Sequence, residues 1–213
     1  MNEKQVKKKK VASNPLTDPD DVLNIADYLG EAGGKFSKRN KVLFLLGCAT
    51  GYRTGDLVEL KVRDIKEAIA QGKFIIHENK VTRQGKYLEK KTTPRETLII
   101  DELKCLLLDY IQDKKSYEYM FPSNKKKNKH ISVECISKII KQAASYFGLK
   151  NITAHSMRKT YGWNQYLVSG KDITYVKDLF GHESREYTEL YLNTKVVKEQ
   201  EYSKNLSKFF RKY

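Results

Sequence analysis

Residues 155–193, HSMRKTYGWNQYLVSGKDITYVKDLFGHESREYTELYLN, decide the reading of the whole chain. Leu167, Ile173, Val176, Leu179 and Phe180 recur at the spacing of buried helical positions, and Gly170 and Gly181 break the stretch, so it predicts helices joined by tight turns. His155, Arg158, His182 and several tyrosines interrupt that apolar pattern. His155 and Arg158 are three residues apart, which on a helix puts an imidazole and a guanidinium on one face, able to approach the same anion. Taken singly, an HxxR pair is a common surface feature, a lone histidine a structural one, and Tyr187 and Tyr191 ordinary packing residues.

Working outward, the flanking chain is also mostly helical. DPDDVLNIADYLGEAGG (18–34) has Asp18 or Asp20 as an N-cap and an apolar face of Val22, Leu23, Ile25, Ala26 and Leu29. SKRNKVLFLLGCATG (37–51) offers Ser37 as a cap and a nearly continuous apolar run, the mark of a deeply buried helix. RTGDLVEL (53–60) reads as a short helix, DELKCLLLDYIQD (101–113) as a longer one, and SVECISKIIKQAASYFGL (132–149) as a long helix capped by Ser132 and closed by Gly148. Between residues 73 and 100 the period changes. KFIIHENKV, KYLEKKT and ETLII are short β-prone runs, predicting a small three-stranded antiparallel sheet. The fold class is mainly α with that sheet.

A chain of 213 residues suits one well-cored domain. Lys and Arg number 41 against 26 Asp and Glu, and the net charge of +15 points to a polyanionic partner. The absence of any apolar run of membrane-spanning length and of an apolar segment near the start predicts a cytoplasmic protein. Cys48, Cys105 and Cys135 are odd in number and far apart, so buried free thiols are expected rather than disulfides or a zinc site. Residues 1–15, with KKKK at 7–10, read as a disordered basic arm serving solubility or DNA contact.

Four segments taken together carry more than any one of them. ATGYRTGDLVEL (49–60), KKTTPRETLII (90–100), HSMRKT (155–160) and LFGHESREYTELYL (179–192) occur in the order and approximate spacing of the tyrosine recombinase, or phage integrase, family. The chain resembles the catalytic domain of that family over roughly residues 20–200. YMFPSNKKKNKHIS (119–132) is similar to the family's connecting loop.

The resemblance implies a tyrosine recombinase catalytic-domain architecture for residues 16–195, with residues 196–213 as a C-terminal helix that packs on a neighbouring protomer or on its own domain. It implies a site-specific recombinase that cleaves and rejoins double-stranded DNA through a 3′-phosphotyrosyl intermediate. Tyr191, ten residues after Gly181, matches the nucleophile. Arg53 and Arg158 match the phosphate clamp, His155 the group that helps deprotonate the nucleophile, and His182 a donor to the phosphate. A hairpin lysine protonates the leaving oxygen in the family. Lys80, Lys86, Lys90 and Lys91 are available here, and Lys91, just before the final strand, fits the pattern.

No metal or nucleotide cofactor is expected, since neither a P-loop nor an HExxH motif is found. Self-association as a dimer or tetramer on DNA, an accessory DNA-bending or directionality protein, and a bacterial or phage origin complete the expectation. Two alternatives stay open: a non-catalytic DNA-binding regulator of the same fold, and a type IB topoisomerase-like relaxing enzyme.

Overall fold

The computed structural model describes residues 12–32, 34–77, 80–81, 87–88, 94–125, 128–195 and 199. It opens with α1 (Pro19–Ala32), where Asp18 is the cap: its carboxylate accepts from the Asp20 amide at 3.0 Å, and Pro19 takes the first helical position. A single 3-10 turn, Gly34–Phe36, leads into α2 (Ser37–Thr50). The expected Ser37 cap is not made. Phe36 holds the cap position, and the Ser37 hydroxyl instead donates to the Gly34 carbonyl at 2.7 Å, because the tight turn has already brought that acceptor within reach. Apolar around most of its circumference, α2 runs through the centre against α1, α5, α6 and α7.

Two short helices follow, α3 (Thr54–Glu59) and α4 (Val62–Gln71), and then the strand region. The expected three-stranded sheet is instead two separate two-stranded ladders among the described residues. β1 (Lys73–Ile76) pairs antiparallel with β4 (Arg95–Leu98), and β2 (Lys80–Val81) with β3 (Tyr87–Leu88). The run KFIIHENKV thus serves two ladders. Its buried alternation of Phe74 and Ile76 ends before the polar residues 77–79, and beyond them Lys80–Val81 pairs with Tyr87–Leu88 among the described residues.

α5 (Asp101–Ile111), α6 (Val133–Tyr146), α7 (Ala154–Val168), α8 (Ile173–Phe180) and α9 (Arg185–Leu192) complete the domain. The Ser132 hydroxyl caps α6, accepting from the Cys135 amide at 3.2 Å. The loop between α5 and α6 is held down by backbone bonds from Val62 to Glu118 (3.0 Å), from Met120 to Leu60 (2.8 Å) and from Ile131 to Phe121 (2.8 Å). The buried Arg39 guanidinium adds a bond to the Pro122 carbonyl at 2.6 Å.

Two apolar clusters form the interior. The larger draws on α1 to α7 and on β1, and includes Phe44, Leu57, Ile65, Leu107, Ile140 and Met157. The smaller consists of Tyr161, Trp163 and Tyr166 from α7, Ile173, Val176 and Phe180 from α8, and Leu192 from α9. Helix α7 contributes to both. Three expected core or thiol positions differ. Leu23 and Leu167 lie 57% and 41% exposed, each at the margin of its helix's apolar stripe, and Cys105 is exposed on the outer side of α5. All three cysteines are free, and burial pushes the Cys48 thiol far above its ordinary pKa.

The expected basic arm, residues 1–15, lies mostly outside the described residues. Residues 12–17 are described, and they run along α7: the Asn14 amide donates to Asn151 O at 2.9 Å, the Leu16 amide donates to Thr160 Oγ1 at 2.9 Å, and Pro15 and Leu16 are buried. Residues 196–198 and 200–213, expected as a C-terminal helix, lie outside the described residues. No helix among the described residues is long and apolar enough to cross a membrane.

Candidate active site

A cleft of about 820 Å³ opens where α3, α7, α8 and α9 meet, and Arg53, His155, Arg158, His182 and Tyr191 all line it. Five of the six expected site residues are therefore brought together from segments more than a hundred residues apart in sequence. Lys91 lies outside the described residues.

Each side chain has a local reason for its place. Gly51 ends α2 in the left-handed region at φ +63°, and a Cβ there would stand 2.5 Å from the Tyr161 ring, so only glycine fits. The turn leaves Arg53 as the extended residue in front of α3. The Gly51 carbonyl accepts from Arg158 Nη1 at 2.7 Å, tying the second arginine to the same turn. Arg158 is only 4% exposed, and its guanidinium lies 4.2 Å above the Phe180 ring. One fork edge is thus fixed by protein, and the residue lines the cleft in a set orientation.

His155 stands in the first turn of α7, whose N-terminal residues Thr153 and Ala154 also line the cleft. The positive end of a helix and two guanidinium groups make this wall suited to an anion. His155 is exposed toward the cleft and partly covered by the Tyr191 ring. That partial burial, followed by the charges of Lys159, Arg158 and Arg53, lowers its pKa from 6.5 to about 4. At neutral pH the imidazole is uncharged and able to accept a proton.

His182 follows the left-handed turn at Gly181, and its Nδ1 shares a 3.0 Å hydrogen bond with Thr188 Oγ1. The same hydroxyl lies 3.1 Å from the Ser184 carbonyl and has one proton to give, to that oxygen or to Nδ1, the second case leaving the imidazole hydrogen on Nε2. Ser184 caps α9, accepting from the Tyr187 amide at 3.1 Å, so the cap, the histidine and the helix carrying Tyr191 form one hydrogen-bonded unit. The Tyr191 ring packs against both imidazoles, with centroids 5.3 Å from His155 and 4.9 Å from His182. Phe180 closes the floor at 5.8 Å. The Tyr191 hydroxyl is shielded from solvent. Tyr187, one turn earlier, stacks on Tyr191 at 6.4 Å and is itself 54% exposed at the cleft rim.

Sequence reasoning missed two cations behind the cleft. Arg95 of β4 is buried, with Nη1 2.9 Å from Thr97 Oγ1 and its guanidinium 4.6 Å over the Tyr161 ring. Lys159 is 4% exposed, and its ammonium lies 4.8 Å over the Tyr191 ring. The available signal for Lys159 was its place on α7 beside Arg158 and four residues after His155, which puts it on the cleft-facing stripe. Among the described residues no three His, Cys, Asp or Glu side chains cluster as a metal site would require.

The fold and the cleft have counterparts in known proteins. The chain is 30% identical over 156 residues to the probable integrase/recombinase YoeC of Bacillus subtilis (strain 168), covering 73% of this chain and 78% of YoeC. A crystal structure of XerA recombinase superimposes with a TM-score of 0.60 at 20% identity, covering 94% of this chain and 66% of that one. The pre-cleavage complex of XerH site-specific recombinase bound to difH gives a TM-score of 0.59 at 18% identity, covering 88% of this chain and 52% of that one. These structures share the fold, and the chain spans about two thirds and half of their lengths. The model of the phage integrase family matches residues 16–197, a span that includes every cleft residue described above, and the chain belongs to that family.

Proposed function

We propose that the protein is a site-specific DNA recombinase that cuts and rejoins double-stranded DNA through a 3′-phosphotyrosyl intermediate on Tyr191. The observation that carries this reading is the Tyr191 ring packed against two imidazoles in the cleft that Arg53 and Arg158 line. In the proposed step the Tyr191 oxygen attacks phosphorus and the phenolic proton passes to His155, neutral near pH 7. Negative charge grows on the non-bridging oxygens, where the two guanidinium forks meet it, and His182 donates to the same phosphate. The bond from phosphorus to the 5′ oxygen breaks, and Lys91 supplies the proton that makes it a hydroxyl. Attack by another 5′-hydroxyl on the phosphotyrosine restores the diester and frees Tyr191. The number of phosphoester bonds is constant, so the cycle needs no external energy source.

The net charge of +15 and the XerH complex with its DNA support duplex DNA as the substrate. Exchange between two duplexes calls for more than one protomer, so a dimer or tetramer on DNA belongs to the same reading, as do an accessory DNA-bending or directionality protein and action in the cytoplasm of a bacterial cell. The test is covalent capture. A nicked duplex carrying a short core bounded by inverted repeats, sought in the DNA flanking the gene, should yield a protein–DNA adduct resistant to denaturant. Tyr191→Phe should abolish it, and an adduct that persists in that variant refutes the assignment.

A further inference from the structure

Lys159 is a buried cation for which the proposed step has no use. It lies on the stripe of α7 formed by His155, Arg158, Lys159 and Gly162, the face turned toward the cleft, α8 and α9. Its stem is enclosed, and Nζ donates to the Ser13 carbonyl at 2.6 Å. That carbonyl is itself fixed. Directly after it in the chain the Asn14 amide is bound to Asn151 O at 2.9 Å and, two residues further, the Leu16 amide to Thr160 Oγ1 at 2.9 Å. The Asn14 side chain also accepts from Asn193 Nδ2 at 3.2 Å, at the left-handed residue that ends α9. The strap of residues 13–16 thus joins α7 to the end of the helix bearing Tyr191, and it sets the ammonium 4.8 Å from the centre of the Tyr191 ring.

We propose that Lys159 is a positioning residue for DNA cleavage: held by the strap, its ammonium lies on the face of the Tyr191 ring and stabilises the phenolate that attacks phosphorus. The inference rests on the reading of Tyr191 as the nucleophile. A phenol that loses its proton spreads charge from oxygen into the ring, where a cation over the face attracts it. A cation at the hydroxyl would occupy the lone pair needed for attack, whereas one at the ring face leaves the oxygen open to phosphorus.

The other groups facing Tyr191 do not duplicate this effect. His155 from α7 is neutral near pH 7, His182 from the turn after α8 is bonded to Thr188, and Tyr187 from α9 is a second phenol. Arg158, bonded to the Gly51 carbonyl and lying over the Phe180 ring, and Arg53 both line the cleft, where the proposed step uses them on the phosphate oxygens. Burial lowers the Lys159 pKa from 10.5 to about 8, so the ammonium is mostly present at pH 7 and is lost as pH rises through about 8.

That titration gives the test a signature that packing alone would not produce. Single-turnover adduct formation on the nicked duplex that forms the Tyr191 adduct should be compared from pH 6.5 to 9.5 in wild type, Lys159→Gln, Lys159→Met and Lys159→Arg. Gln keeps a donor for the Ser13 carbonyl without charge, Met keeps the stem volume, and Arg keeps the charge. An opposite charge at this range lowers an acid's pKa by roughly 1–3 units, so either neutral variant should be slower by at least about tenfold at pH 7. The deficit should shrink above pH 8.5 as wild type loses its own ammonium, and Arg should recover most of the rate and hold it at high pH. If one neutral variant does not fold, the other carries the comparison.

A folded neutral variant with the wild-type rate overturns the proposal, as does a deficit that stays constant across the pH range. An adduct persisting in Tyr191→Phe overturns the nucleophile and this inference together, an outcome distinct from normal Tyr191 chemistry without Lys159.

Discussion

Replacing Gly162 by alanine sets two opposing effects against each other at the floor of the cleft. Gly162 lies inside α7, where alanine favours the helix by about 1 kcal/mol. The added Cβ would stand 2.6 Å from Phe180 Cε2, 3.0 Å from its Cζ and 3.1 Å from Leu192 Cδ2. Carbon atoms pack best at roughly 3.5–4.0 Å, so the Phe180 ring must withdraw by about 1 Å. Phe180 and Leu192 are 1% and 0% exposed, so neither can swing into solvent. Overpacking of a filled core costs about 1–3 kcal/mol. The net expectation is a loss of about 1 kcal/mol, seen as a fall in Tm of about 2–4 °C for a chain of this size. Activity should suffer more than stability. Phe180 lies under the Arg158 guanidinium at 4.2 Å and beside the Tyr191 ring at 5.8 Å, and an error of about 1 Å in such a site can cost on the order of 100-fold in rate. Scanning calorimetry and single-turnover adduct formation read the two effects. Gly55→Ala is the control: nothing lies within 4 Å of a Cβ there, so it should be neutral or raise Tm. A Gly162→Ala protein as stable as wild type, with an unchanged cleavage rate, would refute the claim that α7 and α8 are in hard contact at this point.

His155 and the α6 cap each give a further expected outcome. Unfolded histidine binds a proton near pH 6.5, but folded His155 does not until about pH 4, so the unfolded state holds more protons within that window. Stability should therefore decline on acidification from pH 6.5 toward 4 and be independent of this group above it; urea midpoints measured against pH should lose part of that slope in His155→Asn, and an identical slope would count against the assignment. Ser132→Ala removes the α6 cap and should cost about 1 kcal/mol in denaturant unfolding, with no loss if the hydroxyl's bond to the Cys135 amide carries no weight.

Helices were legible where the sequence carries both period and punctuation. Gly51, Gly148 and Gly181 adopt positive φ beside the ends of α2, α6 and α8, as their positions after apolar runs foretell. Ser37 misled because a serine before an apolar run looks the same whether it caps the helix or bonds back into a preceding 3-10 turn. The strand region misled because strand pairing is a long-range choice: the partner of Ile76 is Arg95, and nothing local distinguishes that pairing from a continuous sheet. In the site, Arg53, His155, Arg158, His182 and Tyr191 were found through the order of four motifs. Lys159 and Arg95 were not, since a buried cation becomes visible only when the rings and carbonyl that receive it are in place. Residues 13–16 have no periodicity at all, and their role comes from hydrogen bonds to segments some 140 residues away.

The division of the interior into two clusters gives α7 the role of a caliper. One jaw, the turn with Arg53 and helix α3, is seated in the large cluster through Leu57 and Val58. The other, α9 with Tyr191, is seated on the small one. Fifteen residues of a single helix set the gap between the Arg53 turn and Tyr191. Changes deep in the large cluster can weaken the domain and leave the gap as it was. A shift of register along α7 alters the gap directly, even where every side chain of both jaws is intact.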